Sequence, residues 1–153
     1  MVPIVTIDGP SGSGKGTIAK ALALKLNWNY LDSGLLYRCF AFLYSENIDN
    51  ISESFSRIEH NYDSQSENIL FDGNDITSAI RGKELTILSS KLSQKSEVRE
   101  QLMQIQKQYR KLPGLVAEGR DMSSKLFPDS KVKIFLTADL SERVNRRANQ
   151  LRN

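Results

Sequence analysis

Cysteine and histidine each occur once in the 153 residues, and both scarcities are informative. A lone thiol, Cys39, cannot form an internal disulfide and fits a reducing compartment. A lone His60, with no cysteine or second histidine near it in the chain, offers no metal-binding pattern. No apolar run is long enough to span a bilayer, and the first residues read as a strand instead of a signal peptide. Neither sign of charge dominates: 21 basic against 18 acidic side chains give +3, with a pI near 9.0. A site that holds several phosphates accounts for that excess without nucleic acid. Internal repeats and low-complexity tracts are missing too. What is left is the profile of one soluble, cytoplasmic domain, 39% apolar and 25% charged, long enough to bury a core.

The most informative stretch is Gly9-Pro10-Ser11-Gly12-Ser13-Gly14-Lys15-Gly16-Thr17. The apolar run Ile4-Val5-Thr6-Ile7 precedes it, and a helical pattern from Ile18 to Leu26 follows. Strand, glycine-rich turn and helix are the context that a phosphate-binding loop requires. The glycines bring backbone N–H groups close to an anion, and the helix behind them aims its positive end at the same point. Lys15 adds a mobile charge for the β- and γ-phosphates. An ordinary glycine turn beside a surface lysine is the bland account, and it needs none of this context. The loop is expected to bind a nucleoside triphosphate. Gly16 delays the hydroxyl to Thr17, a Gly-Lys-Gly-Thr variant that resembles the loop of nucleoside monophosphate kinases more than that of GTPases.

Taken in order, the chain reads as α/β. Ile4 to Ile7 has the unbroken apolar character of a strand buried on both faces of a parallel sheet. Ile18, Leu22 and Leu26 share one stripe of the first helix, its expected core face, and Asn27 is the expected stop. Trp28 to Leu31 is the second strand, which completes a right-handed crossover. Ser33 stands at a helix N-cap position, and Leu36, Cys39, Phe40 and Leu43 form the apolar stripe after it. Tyr37 and Arg38 lie off that stripe, at the carboxyl end of a strand, where open α/β sheets bind ligands. From Ser45 to Ser78 the composition turns to Ser, Asn, Asp and Glu, a polar insert expected to contribute little core. Inside it, Ile69-Leu70-Phe71, Asp72-Gly73 and Asn74-Asp75-Ile76 read as a hairpin on a two-residue turn. Helices carrying Leu85, Leu88 and Leu92, then Val98, Leu102, Ile105 and Tyr109, end at Leu112-Pro113-Gly114.

Leu115 to Glu118 and Val132 to Leu136 are the third and fourth strands. Arg120 and Asp121 follow the third; a mutual salt bridge is one account of them, and ligand contact at a strand's carboxyl end is the favoured one. The last helix carries Leu140, Val144, Ala148 and Leu151 on one stripe, with Asp139 or Ser141 as cap. Its other face holds Arg143, Arg146, Arg147 and Arg152. Solvated surface is the favoured reading of that face, phosphate contact the lesser one.

Four stretches then point to a family: Asp8 to Thr17, Leu31 to Arg38, Leu112 to Met122, and Phe127-Pro128-Asp129 with Lys133 to Leu136. They resemble bacterial cytidylate kinases along the whole chain, and the second and third are far more specific than the phosphate loop. The resemblance implies transfer of the ATP γ-phosphoryl group to CMP or dCMP, with Mg²⁺, on a P-loop kinase core whose parallel sheet is flanked by helices. Residues 1–44 and 112–153 would form that core, and 45–111 the monophosphate-binding insert with its helices. Gly9 through Thr17 would hold ATP, and Thr17 is the one side chain that would reach the metal. Ser33, Tyr37, Arg38 and Arg120 would hold the acceptor and its phosphate, while Ser90, Arg99 and Asp121 would read cytosine. A carboxylate accepts from the exocyclic amino group, and arginine and serine donate to the ring acceptors; uracil inverts that edge. Lys15 and Arg120 would be the catalytic cations, because phosphoryl transfer needs positioning and charge more than covalent chemistry. Glu118 stands where relatives often carry Asp, and the resemblance assigns it no magnesium role.

The family pattern continues past Asn153, through an arginine-rich lid, an Asp/Arg cluster, a fifth strand and a closing helix. A full-length enzyme is expected to be a monomer that acts on ATP and CMP, with neither nucleic acid nor membrane as partner. A chain ending at Asn153 is expected to bind nucleotide with little turnover and to associate through the strand from Val132 to Leu136. A related P-loop small-molecule kinase is the other alternative. The cytosine reading makes a direct prediction. Asp121→Ala should weaken the preference for CMP over UMP by roughly 1–3 kcal/mol, measured as the ratio of kcat/KM values.

Overall fold

Strands without polar alternation need cover on both faces, which a parallel sheet with flanking helices supplies. A computed structural model describes residues 1–152. In chain order its elements are β1 (Ile4–Asp8), α1 (Lys15–Leu26), β2 (Asn29–Asp32), α2 (Ser33–Ser45), α3 (Ile51–Ser54), β3 (Ile58–Tyr62), β4 (Glu67–Phe71), β5 (Asn74–Asp75), α4 (Thr77–Arg81), α5 (Lys83–Leu92), α6 (Ser96–Lys107), β6 (Leu115–Gly119), β7 (Val132–Phe135) and α7 (Leu140–Arg152). They fall into two compact units, Met1–Ser33 with the residues from Gln106 onward, and Gly34–Ile105.

The first unit holds a four-stranded parallel sheet in the order β2-β6-β1-β7. Every residue of β1 and β6 is buried, the polar Thr6, Asp8 and Glu118 along with their apolar neighbours. Helix α1 packs against β6 through Ala19 and Ala23, both fully buried. Ile18, Leu24 and Leu26 are instead 47%, 38% and 40% exposed, so the expected stripe of Ile18, Leu22 and Leu26 is turned away from the sheet. The helix starts at Lys15 straight out of the loop, which sets its phase, and two methyl-sized side chains allow a close approach to the strand. Asn27, left-handed at φ 53°, ends it as expected. At the sheet's edge, Val132, Ile134 and Phe135 of β7 are 47%, 39% and 73% exposed. Helix α7 buries no residue, and its apolar stripe of Leu140, Val144 and Leu151 is exposed.

In the second unit the stripe of α2 is buried as its spacing demands: Leu36, Cys39, Phe40 and Leu43 are all within the core. Ser33 is the first residue of the helix itself, one position past the expected cap. The hairpin forms on Asp72-Gly73, whose φ values of 50° and 78° suit a mirror-type turn that follows strand twist. A third strand, β3, was not expected, and it pairs antiparallel with β4 in the order β3-β4-β5. The insert also has a core of its own. Phe55, Ile69, Ile76 and Ile80 are buried, and Phe55 sits 6.5 Å from the ring of Phe40. Sparse apolar residues suffice because strand pairing and a few large side chains collect them on one face.

The phase of α1 can be tested. Ala23→Leu should overpack the helix–sheet contact and cost about 1–3 kcal/mol in urea unfolding. Ile18→Ala should cost less than about 1 kcal/mol, since that side chain is already half in solvent. The reverse ranking would restore the apolar stripe as the buried face.

Candidate nucleotide site

The register of the sheet builds the site. Asp8 pairs with Gly119, so β1 and β6 end level and release Gly9 and Arg120 side by side. The Gly9 N–H donates to the Gly119 carbonyl at 3.1 Å, which carries the pairing one step beyond the strands. The loop then turns through left-handed Gly12 and Gly14, with φ of 76° and 88°. A Cβ on Gly12 would also run into the backbone of Arg143, so any larger residue is barred by conformation and by space. Ser13 Oγ is buried with no hydrogen-bond partner inside this turn, which leaves its hydroxyl for a ligand to satisfy.

Lys15 opens α1, and its Nζ donates to the Pro10 carbonyl at 3.4 Å, with Glu118 Oε2 3.9 Å away. Glu118 is buried at the end of β6, where the Tyr30 hydroxyl donates to its Oε1 at 3.4 Å. Burial, then the neighbouring Asp32 carboxylate, push the Glu118 carboxyl up to about 8 against the weaker pull of Lys15. At neutral pH Glu118 is therefore mostly protonated, and no full negative charge from it stands beside Lys15. Beside the loop lies a hollow of about 850 Å³, lined among others by Gly14, Thr17, Asp139 and Arg146. Arg146 donates to the Gly12 carbonyl at 3.4 Å and forms an ion pair with Glu142. Arg146 is 43% exposed, as the solvated-surface reading of the arginine face expects, and it also reaches the loop backbone. The Nε of Arg143 is buried on the same helix.

The other expected site residues divide between the two units. Ser33 is buried at the end of β2, and Arg120 and Asp121 are exposed just past β6. Asp121 pairs with Lys125 at 3.5 Å, one helical turn on, and not with Arg120, the partner in the less favoured salt-bridge account. Tyr37 and Arg38 on α2, Ser90 on α5 and Arg99 on α6 belong to the second unit. There Tyr37 and Arg38 are half-buried and Ser90 and Arg99 exposed, with the Ser90 hydroxyl donating to the Thr86 carbonyl at 3.1 Å. His60 pairs with Glu67 at 2.7 Å. Among the described residues no helix is long and apolar enough to cross a membrane.

Comparison with known proteins bears directly on this arrangement. A family model described as cytidylate kinase matches residues 5–153. The chain is 46% identical to the cytidylate kinase of Stutzerimonas stutzeri, over 99% of this chain and 70% of the relative. It is 42% identical to that of Pseudomonas paraeruginosa over the same shares, and 41% to that of a Marinomonas species over 97% and 70%. The chain belongs to the cytidylate kinase family.

The acid beside Lys15 makes stability depend on pH. The Glu118 carboxyl loses its proton near 4.5 when unfolded and near 8 when folded. Between those values the folded state holds more protons, so its stability falls as pH rises. The midpoint of chemical denaturation should be higher at about pH 5 than at about pH 8.5, by an amount that Glu118→Gln largely removes. An equal slope in both proteins would place the titration elsewhere.

Proposed function

We propose that the protein transfers the γ-phosphoryl group of ATP to CMP or dCMP, giving ADP and CDP or dCDP, with Mg²⁺ as the accompanying ion. The observation that carries this reading is the level ending of β1 and β6 in a member of the cytidylate kinase family. It sets a phosphate loop with its lysine beside the turn that bears Arg120 and Asp121. In the proposed reaction an oxygen of the CMP phosphate bonds to the γ-phosphorus as the bridge to the β-phosphate breaks, and ADP leaves with the electron pair.

The loop's N–H groups and Lys15 bind and orient the β- and γ-phosphates. Lys15 meets the charge that builds on the transferring group, because Glu118 holds a proton and does not neutralise it. Arg120 does the same from the acceptor side. Ser33, Tyr37 and Arg38 hold the acceptor phosphate and sugar, and Ser90, Arg99 and Asp121 select cytosine. Residues 45–111 are assigned the monophosphate-binding role. The Thr17 hydroxyl lines the hollow beside the loop and is a hard oxygen donor of the kind a divalent cation takes. Thr17 and the triphosphate would hold Mg²⁺, which neutralises phosphate charge when bound. A reducing cytoplasm is the proposed compartment, in keeping with a single cysteine that is buried.

Steady-state assays with ATP and each of CMP, dCMP, UMP, AMP and shikimate test the assignment. CMP and dCMP should be preferred, and a preference for AMP or shikimate would overturn it. Lys15→Ala should lower kcat by about two orders of magnitude or more, while the calorimetric Kd for CMP stays within about threefold. Loss of CMP affinity in step with turnover would contradict separate donor and acceptor roles.

A further inference from the structure

The carboxylate that ends β1 is buried, only 4% exposed, and the phosphate-binding role of the next nine residues makes no use of it. It is nevertheless fully partnered. The Met122 N–H donates to Asp8 Oδ1 at 2.7 Å, and the Ser123 N–H and hydroxyl donate to Oδ2 at 2.9 and 2.6 Å. Hydrogen bonds to an ionised acceptor are short and about twice as strong as neutral ones. These donors stand immediately after Arg120 and Asp121. On the far side of the same turn, the Asp121 carbonyl accepts from the N–H groups of Lys125 and Leu126 at 3.0 and 3.2 Å. The backbone that presents Asp121 is therefore held at both ends, and at one end by a side chain from another strand.

We propose that Asp8 is a positioning residue for the acceptor nucleotide. Its carboxylate pins the turn that presents Arg120 and Asp121, and it stands one residue before the phosphate loop, so one short stretch of β1 aligns the donor and acceptor ends of the reaction. This rests on the cytidylate reading of Arg120 and Asp121. A purely structural carboxylate would support both substrates alike. A positioning one favours the acceptor, because its bonds go to the Arg120–Asp121 turn and none to the loop.

Asp8→Asn tests this with almost no change in volume, since an amide presents N–H to one of the N–H donors it should accept from. The expected result is a rise of about tenfold in KM for CMP and a matching fall in the CMP-to-UMP ratio of kcat/KM, with the calorimetric Kd for ATP within about twofold. Ser123→Ala removes only the hydroxyl bond and should raise KM for CMP about threefold, again sparing ATP. Unchanged CMP KM and base preference in Asp8→Asn would overturn the proposal, as would loss of ATP and CMP affinity in step. Should Asp8→Asn fail to fold, Ser123→Ala decides alone: the acceptor-selective rise supports the proposal, and an unchanged CMP KM overturns it. A wild-type protein indifferent between CMP and UMP would bring down the cytidylate reading and this proposal together. A wild-type preference that survives both substitutions would bring down this proposal only.

Discussion

The site depends on one parallel ladder, β1 against β6, in the register that sets Asp8 opposite Gly119. Parallel pairing in this register brings two carboxyl ends to the same level, and whatever leaves those ends is held within a few ångströms. The phosphate loop leaves one and the Arg120-Asp121 turn leaves the other. β6 also pairs with β2 so that Asp32 lies opposite Glu118, which puts two carboxyls together under the loop lysine. Sliding β6 by one residue would turn its alternate side chains to the other face and separate all three features at once.

Charge at the site follows from that crowding. Two carboxyl groups in one buried place cannot both ionise cheaply, so the pair retains a proton and Glu118 carries the raised pKa. Ionised, Glu118 would sit 3.9 Å from Lys15 and draw on its charge. Protonated, it leaves the lysine available while still filling the space behind the loop. Arg146 is held comparably, between Glu142 and the Gly12 carbonyl, at the rim of the hollow beside the loop.

Much of this was legible in the residues. The strand–turn–helix course through Gly9 to Thr17, the buried stripe of α2 and the Asp72-Gly73 turn rest on local spacing or on backbone conformations that few residues adopt. Local chemistry is enough to specify them. The phase of α1 was not legible, because hydropathy ranks Ile18 and Leu26 above Ala19 and Ala23, while the strand beneath selects for small size. Strand β3 was hidden by the polar residues that alternate along it, and its partner strand supplies the reason it forms.

What the sequence by itself determined, then, is local: a glycine-rich turn between strand and helix, a lysine at the helix start, and polar side chains at strand ends, each specified by neighbours a few residues away. Tertiary structure alone decided which groups meet. Asp8 and Met122 are 114 positions apart, and Arg146 and Gly12 are 134 apart. Contacts at that separation leave no periodic trace in the chain. They arise because the ladder register and the phase of each helix are settled by burial across the whole unit.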